Sequence, residues 1–400
     1  MDYMTAREAA EQWGLAERTV QQLCRAGRIS GARKFGGAWA VPAGTEKPGD
    51  PRRKDGCNPG EAAAQDASFA LSGLLPLMNT PFPSGGCRAA IEGMEAGSRR
   101  EMAWAEYHYF SGRAEEAAEE TVPYLSSPDL GLRLSAALLH GYASLTTGEI
   151  ARARQALEVL NTALTEAGEQ LPQLRAAVAF AGAAAAVLLH LPLPEGLPAA
   201  EDLLPLLPPG LRSFALYVQA HYRYLQGEYG KSAGMVEAAL AMGAARYPIP
   251  AIYLHLVAVM DYMSLKQTDQ ARTHLLSAWA LAQPDGLIEG FGEHHGLLGG
   301  MLEAELKPCW PEQFRRIIDI TYRFSWGWRQ IHNSATGHDV ADNLTTTEFA
   351  AAMLAAREWT NQEIAAHMKI SPNTVKRHLS QAMKKLGVEQ RQELKQYMLR

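Results

Sequence analysis

Apolar positions recur with a helical period along most of the 400-residue chain. From Arg99 to His332 they return every three to four residues, are mainly Ala and Leu, and are interrupted by turn residues at regular intervals. Both ends of the chain carry further short helical patterns. Strand-like runs flank Gly36-Gly37 and indicate a hairpin. These patterns predict a mainly α protein with one small β-hairpin.

The middle of the chain consists of recurring helix-pair patterns. Their turns fall at Gly112, Gly148, Gly227 and Gln267, which are 36, 79 and 40 residues apart. Because the second interval is about twice the third, we expect another turn near Pro192–Gly196 and therefore about five pairs. A single pair cannot bury its apolar faces, so neighbouring pairs should stack into an α-solenoid. The pattern resembles tetratricopeptide-like repeats of slightly greater length.

Large aromatic residues occupy one side of the first helices of these units. They are Tyr107, Tyr142, Tyr222 and Tyr262. Packing between the helices is the simplest interpretation, and a groove for a peptide or a small molecule is the alternative. We therefore expect a small-molecule or protein effector, if there is one, to bind the repeat domain.

The first 45 residues predict a winged helix-turn-helix. Thr5 and Glu8 have the spacing of a capping box, which starts a helix that ends at Gly14. A second helix covers about Glu17–Ala26, and the hairpin around Gly36-Gly37 forms the wing.

The strings Arg7-Glu8-Ala9-Ala10 and Gly27-Arg28-Ile29 resemble the corresponding parts of excisionase and MerR-type proteins. The resemblance implies DNA contacts from the second helix and the wing. The expected DNA-binding residues are Arg18, Thr19, Gln21, Gln22, Arg25, Arg33 and Lys34. A small protein-docking module is the alternative, because Trp13, Phe35 and Trp39 suit an interface as well as a core.

The last sixty residues predict four short helices with clear start signals. Thr345-x-x-Glu348 and Thr360-x-x-Glu363 are capping boxes, in which each side chain satisfies a backbone donor of the other residue. Ser371-Pro372 combines a favoured N-cap residue with proline at the first helical position.

The second and third of these helices have the order of a helix-turn-helix. The second covers about Asn361–Met368, and a turn of about three residues leads to the third helix at Pro372. One stripe of the third helix is apolar and comprises Val375, Leu379, Met383 and Leu386. Its other face is basic and polar. Since the major groove admits one α-helix and Lys and Arg match guanine edges and phosphates, this face suits DNA.

Residues 344–400 resemble the LuxR/GerE-type DNA-binding domain. The resemblance is carried by Thr360-Asn361-Gln362-Glu363-Ile364-Ala365, Thr374-Val375-Lys376 and Lys385-Leu386-Gly387-Val388. Thr347 and Glu358 stand where this family usually has arginine and glycine. The resemblance implies that Lys376, Arg377 and Ser380 face base edges. It implies that Thr360, Asn361, Asn373, Thr374 and Lys384 contact phosphates or hold the helix on them.

Taken together, these patterns divide the chain into four parts. We expect a winged helix-turn-helix over residues 1–45, a linker and irregular segment over 46–98, a repeat domain over 99–335 and a LuxR-type domain over 340–400. In the LuxR-type family the last helix, here Gln390–Leu399, is the contact of a homodimer.

The charges are segregated along the chain in a way that fits this division. Residues 1–54 and 344–400 each carry a net charge of +4, whereas the residues between them carry −13, and the whole chain carries −5. Basic ends attract a polyanion, and an acidic middle discourages the same contact elsewhere.

No catalytic centre, metal site or cofactor site stands out in the sequence. Gly230-Lys231-Ser232 lacks the earlier glycine of a phosphate loop, and Glu293-His294-His295 lacks the spacing of zinc ligands on a helix. Four distant cysteines favour reduced thiols. The uncharged, Ala-rich stretch Ala176–Leu189 is too short to cross a bilayer, and the N-terminus does not look like a signal peptide.

The sequence therefore predicts a cytoplasmic bacterial transcription regulator that is not an enzyme. Double-stranded DNA is the expected partner, and RNA polymerase is a candidate second partner. No membrane association and no cofactor are expected. The alternative is a helical-repeat scaffold whose terminal modules dock proteins.

Overall fold

A computed structural model describes residues 3–25, 29, 31–35, 38–43, 45, 73–166, 172–337, 340 and 343–398. They divide into two compact units, one within Met1–Asp66 and one within Ala67–Arg400. The described part of the chain contains twenty α-helices and one three-stranded sheet, which confirms the mainly α fold class. The predicted linker over 46–72, the wing tip Gly36-Gly37 and the exit Gly27-Arg28 lie outside the described residues.

The N-terminal unit has the helices and hairpin that the sequence predicts, together with one strand that it does not. Its elements are β1 (Tyr3–Thr5), α1 (Ala6–Trp13), α2 (Glu17–Arg25), β2 (Arg33–Phe35) and β3 (Ala38–Pro42). The sheet order is β1-β3-β2 and both pairings are antiparallel. Thr5 and Glu8 form the reciprocal capping box of α1. A three-residue strand offers too short an alternation to be detected in the sequence.

The helical body is defined as residues 73–337, and its described parts, 73–166 and 172–337, contain fourteen helices. They are α3 (Cys87–Glu92), α4 (Ser98–Phe110), α5 (Ala114–Thr121), α6 (Leu130–Thr147), α7 (Ile150–Glu166), α8 (Pro172–Leu188), α9 (Ala200–Leu203), α10 (Pro209–Leu225), α11 (Tyr229–Ala241), α12 (Pro248–Ser264), α13 (Thr268–Ala282), α14 (Glu289–His294), α15 (Lys307–Cys309) and α16 (Pro311–Thr336). One π-helical turn, Leu302–Leu306, precedes α15.

Four helix pairs turn where the sequence pattern places them. The pairs α4/α5, α6/α7, α10/α11 and α12/α13 turn at Gly112, Gly148, Gly227 and Gln267. The fifth unit differs from the prediction. Its long first helix, α8, is present, but the chain after Pro192–Gly196 forms only the single turn α9 and a 3₁₀ turn. Prolines at 205, 208 and 209 interrupt the second helix, because proline removes a donor and clashes inside a helix.

The long helix α16 runs past the C-terminal ends of α4, α6 and α8. The last carbonyls of a helix have no partner within it and need donors from elsewhere. Side chains of α16 supply four such donors. The pairs are Arg316 with the Ser111 carbonyl, Arg323 with Thr146, Trp328 with Leu188 and His332 with Leu189, at 3.2, 3.3, 3.1 and 3.0 Å. One helix therefore joins three successive units.

Residues 73–98 belong to the body, which differs from the predicted irregular segment over 46–98. Leu74 and Leu77 are completely buried, and Cys87 and Ile91 of α3 are buried in the same core. The carboxylate of Glu106 accepts hydrogen bonds from the amides of Leu77 and Met78 at 2.8 and 2.9 Å. The many prolines and glycines here indicate an irregular backbone but not an exposed one.

The C-terminal domain, defined as described residues 343–398, completes the larger unit. Its helices are α17 (Thr346–Ala356), α18 (Asn361–Met368), α19 (Pro372–Leu386) and α20 (Lys395–Met398), and a 3₁₀ turn at Arg391–Leu394 precedes α20. Across the described ranges of the chain, no helix has both the length and the apolar character needed to cross a membrane.

Candidate nucleic-acid interface

Three start signals in the C-terminal domain form as the sequence predicts. Thr345 and Thr360 are N-caps that complete their capping boxes, and Ser371 accepts a hydrogen bond from the Thr374 amide. Gly387 ends α19 in the left-handed conformation, with φ +67°. Because these signals are local, they fix the bounds of α18 and α19 independently of the body.

The polar face of α19 is exposed. Its apolar stripe packs on α17 and α18, with Val375 and Leu379 buried. Five of the residues predicted to contact DNA are exposed on this helix, namely Asn373, Lys376, Arg377, Ser380 and Lys384. Their spacing of three to four residues places them on one face of the helix. The structure thus brings five of the eight predicted residues together on one accessible surface.

The other three predicted residues also make contacts inside the domain. The Thr360 hydroxyl caps α18, and the Thr374 hydroxyl lies 2.8 Å from that of Ser371. The Asn361 side-chain oxygen accepts a hydrogen bond from Arg391 at 2.7 Å, and Arg391 also donates to the Trp359 carbonyl. These residues therefore position the N-terminal ends of α18 and α19, which is the part expected to lie on the phosphate backbone.

Two other residues of the C-terminal domain, Glu358 and Lys385, have contacts that the sequence does not indicate. Glu358, at a position where glycine is usual in the LuxR-type family, has φ +63°, a region that favours glycine. Lys266 of the body donates a hydrogen bond to the Glu358 carbonyl at 3.1 Å. Lys385 forms a 2.7 Å ion pair with the buried Glu348 carboxylate, and the pKa of Glu348 is lowered although burial opposes this. Only the fold could show that Lys385, which is exposed like Lys384, has a structural partner.

The N-terminal unit also presents polar side chains on α2 and β2. Arg18, Thr19, Gln22 and Arg25 are exposed, whereas Gln21 is half-buried and donates a hydrogen bond to Glu17. Arg33 and Lys34 are exposed and consecutive in β2, so they point to opposite faces of the sheet. At most one of these two side chains can therefore point into a given DNA groove.

The aromatic residues that suggested a protein-docking module are mostly part of this unit's core. Trp13 is 8% exposed, and Trp39 is half-buried and packs against the same cluster. The side chain of Phe35 lies outside the described residues.

The tyrosines of the repeat units differ in burial. Tyr107 and Tyr142 are buried, and Tyr222 and Tyr262 are half-buried.

The C-terminal domain packs closely against the body through glycines that follow α14. A Cβ atom on Gly296 would lie 2.8 Å from the Phe349 ring of α17, so a larger residue there would have to push this ring aside. Gly299 and Gly300 have φ +60° and +78°, and a Cβ on Gly300 would touch Ala350. Close approach of the two backbones therefore depends on residues without side chains.

Polar contacts hold the same two surfaces together. Arg357 donates to the Tyr224 hydroxyl and to the Leu297 carbonyl. His367 pairs with the Gly299 carbonyl at 2.9 Å, and Lys369 forms a 3.1 Å ion pair with Glu305. The polar face of α19 takes no part in these contacts and is exposed.

A buried carboxyl beside Arg357 makes the stability of this unit depend on pH. Asp261 is completely buried, and burial raises the pKa of its carboxyl from 3.8 to about 8, against the opposing influence of Ser232 and Arg357. Between these two pH values the unfolded chain releases a proton that the folded chain keeps. The free energy of unfolding of the wild type therefore decreases as the pH rises from about 4 to about 8.

Replacing Asp261 by Asn removes this titration. We expect the variant to be more stable than the wild type by a few kcal/mol (~1.4 per unit of pKa difference) at pH 8, and by less at pH 5. Urea unfolding of the full chain at both pH values measures the difference. An advantage that fails to grow between pH 5 and pH 8 would contradict the assignment of a neutral Asp261.

Comparisons with known families agree with this geometry at both ends of the chain. Residues 342–398 match the family model described as bacterial regulatory proteins, luxR family. Residues 1–45 match a family model described as a helix-turn-helix domain. Neither a search of curated proteins nor a search of solved structures finds a match. The two terminal modules are thus similar to DNA-binding domains, and the resemblance of the C-terminal one to transcription regulators is confirmed.

The last segment contributes mainly to its own domain. Within the described part, Arg391–Met398, Leu394 and Met398 are buried against the chain itself, whereas Gln392, Glu393, Lys395 and Gln396 are exposed. The predicted homodimer contact over Gln390–Leu399 would therefore be polar on its outer face, and Leu399 lies outside the described residues. Among the residues whose positions the structure gives, no cluster of His, Cys, Asp or Glu is arranged to hold a metal ion.

Proposed function

We propose that this protein is a sequence-specific DNA-binding transcription regulator that inserts α19 into the major groove. The observation that carries the proposal is the accessible face of α19, where Lys376, Arg377 and Ser380 project together from a helix that Ser371 caps and Gly387 ends. Lys and Arg reach guanine edges in that groove, and a Ser hydroxyl can donate a hydrogen bond to a base edge or accept one from it. The domain is held on the phosphate backbone of the DNA by Thr360, Asn361, Asn373, Thr374 and Lys384.

The N-terminal unit is a second DNA-binding module in this proposal. Its exposed contacts are Arg18, Thr19, Gln22 and Arg25 on α2, with Gln21 partly covered and Arg33 or Lys34 from the hairpin. Since α2 and α19 carry different side chains, each module selects its own sequence. The helical body links the two modules and senses an effector or partner, and homodimer formation and contact with RNA polymerase belong to the same proposal.

Selection of bound fragments from a random DNA library by the full chain tests this function. Two unrelated motifs are expected, one lost when Arg18 and Arg25 are replaced by Ala, and the other lost when Lys376 and Arg377 are. Affinity for each motif should fall about tenfold to a hundredfold between ~50 and ~200 mM salt, because bound Lys and Arg release counterions from phosphates. Enrichment of no motif at low salt would favour the protein-docking scaffold instead.

A further inference from the structure

The turn between α12 and α13 differs from three other repeat turns in one residue. The turns of α4/α5, α6/α7 and α10/α11 each contain a glycine in the left-handed conformation, with φ between +76° and +82°. These glycines are Gly112, Gly148 and Gly227. In the α12/α13 turn the equivalent residue is Lys266, with φ +59°. In all four turns the amide of this residue donates to the carbonyl three positions earlier, so the backbones agree and the side chain differs.

A lysine in this conformation costs free energy that a glycine does not. In the left-handed region the Cβ atom of an L-residue crowds the backbone, which is why glycine is usual there. The three glycine turns show that the repeat turn forms without a side chain at this position. A strained residue that stands where glycine suffices points to a role for its side chain.

The side chain of Lys266 reaches from the body to the start of α18. Its Nζ atom donates to the Glu358 carbonyl at 3.1 Å and lies 3.9 Å from the Glu363 carboxylate. Glu358 is two residues before Thr360, the N-cap of α18. An ammonium carries three donors, and the hydrogen bond to Glu358 uses one of them. The side chain is 43% exposed, so an anion can approach it.

A second cation lies at the same end of α18. Arg391 donates to the carbonyl of Trp359, the residue after Glu358, and to the side-chain oxygen of Asn361 at 2.7 Å. Two consecutive carbonyls before α18 are therefore bound by cations, one from the C-terminal domain and one from the body. This end of α18 is the part expected to lie on the phosphate backbone.

Lys266 also offsets negative charge at this end of α18. The Glu358 and Glu363 side chains are exposed, and hydrogen bonds from Thr360 lower the pKa of Glu363, so its carboxylate is charged near pH 7. Two carboxylates at this place would repel a phosphate group. The ammonium of Lys266 lies 3.9 Å from one of them and reduces this repulsion.

We propose that Lys266 is a phosphate contact, so that the helical body supplies part of the DNA-binding surface next to α18. The partner is the backbone of double-stranded DNA, and the contact is independent of sequence. This inference rests on the function proposed above and extends it, because it gives the body a direct part in DNA binding.

Lys266→Gly gives this turn the residue of the other three and removes the contact without straining the fold. The urea midpoint of the full chain should be no lower than that of the wild type, because glycine relieves the left-handed strain. The dissociation constant for DNA should rise about threefold to tenfold at ~50 mM salt for all sequences alike, and the salt slope should fall by about one. Lys231→Ala is the control, since it removes the same charge from an exposed position near the α10/α11 turn.

A tethered cleavage reagent locates residue 266 on the DNA directly. An iron–EDTA group attached to the Lys266→Cys chain, with Cys57 and Cys309 replaced by Ser, generates hydroxyl radicals at that point. The two remaining thiols are buried. The group should cut the DNA backbone beside the motif that α19 selects, whereas the same group on a Lys231→Cys chain should leave the DNA intact.

The proposal is overturned if a folded Lys266→Gly chain keeps the affinity and the salt slope of the wild type. A loss of affinity with an unchanged slope would also contradict it, since Lys266 would then act only by positioning α18. If Lys266→Gly proves unstable, the cleavage pattern decides, and the absence of cuts from residue 266 on bound DNA would overturn the proposal.

Failure of the proposed function gives a different set of results. A wild type that binds no duplex at low salt would overturn both proposals. DNA binding that is lost on Lys376→Ala and Arg377→Ala but is insensitive to Lys266→Gly would overturn this inference alone.

Discussion

Replacing Lys376 or Arg377 by Ala is expected to weaken binding to a selected DNA site by about 1–3 kcal/mol per side chain. Both side chains are exposed on the polar face of α19, and neither forms an ion pair with another residue that the structure describes. Their loss should leave the fold intact, because the apolar stripe of α19 is unchanged. Fluorescence anisotropy with the selected duplex and with single-base variants measures the loss.

Two matched lysine variants distinguish base contacts from simple loss of charge. Lys384→Ala, at a predicted phosphate contact, should weaken binding to all sequences alike and lower the salt slope by about one. Lys231→Ala removes the same charge from an exposed position on the body and should change little. If Lys376→Ala and Arg377→Ala bind the selected site as tightly as the wild type, the assignment of α19 as the base-reading helix is wrong.

Replacing Gly327 by Ala is expected to destabilise the larger unit by about 3 kcal/mol or more. A Cβ atom at this position would lie 2.1 Å from the Leu145 carbonyl oxygen, and the obstacle is backbone that cannot move aside as a side chain does. Helix α16 would have to shift away from α6 and lose its hydrogen bonds to the ends of three units. Urea unfolding of the full chain, followed by circular dichroism, measures this change.

Gly234→Ala is the matched control. Gly234 is exposed within α11, and a Cβ there would have no atom within 4 Å. Alanine loses less backbone entropy than glycine in a helix, so this variant should gain about 0.5–1 kcal/mol. Equal midpoints for Gly327→Ala and the wild type would contradict the close crossing of α16 and α6.

The two ends of the chain show which kind of information is readable from the sequence. Capping boxes, Ser-Pro starts and glycine stops act between residues three or four apart, so their outcome hardly depends on the rest of the chain. That is why α18, the start of α19 and the N-terminal helices lie where the residues indicate. The same holds for four of the repeat turns, where glycine or glutamine follows an amphipathic helix.

Elements that depend on distant partners were not predictable in this way. The fifth unit keeps α8 but lacks a full second helix, and residues 73–98 look like a linker although Leu74 and Leu77 are buried. The amides of Leu77 and Met78 donate hydrogen bonds to Glu106, which lies about 29 positions away in the sequence. No local sequence pattern predicts such a long-range contact.

Residue types and spacing alone therefore determined the helical architecture, the two helix-turn-helix modules and the polar face of α19. The tertiary structure decided the path of α16 across three helix ends, the close packing at Gly296 and the burial of Asp261. The physical reason is range. Caps and amphipathic stripes are settled within a turn or two of helix, whereas the contacts of α16 with the helix ends form only after segments more than a hundred residues apart have packed together.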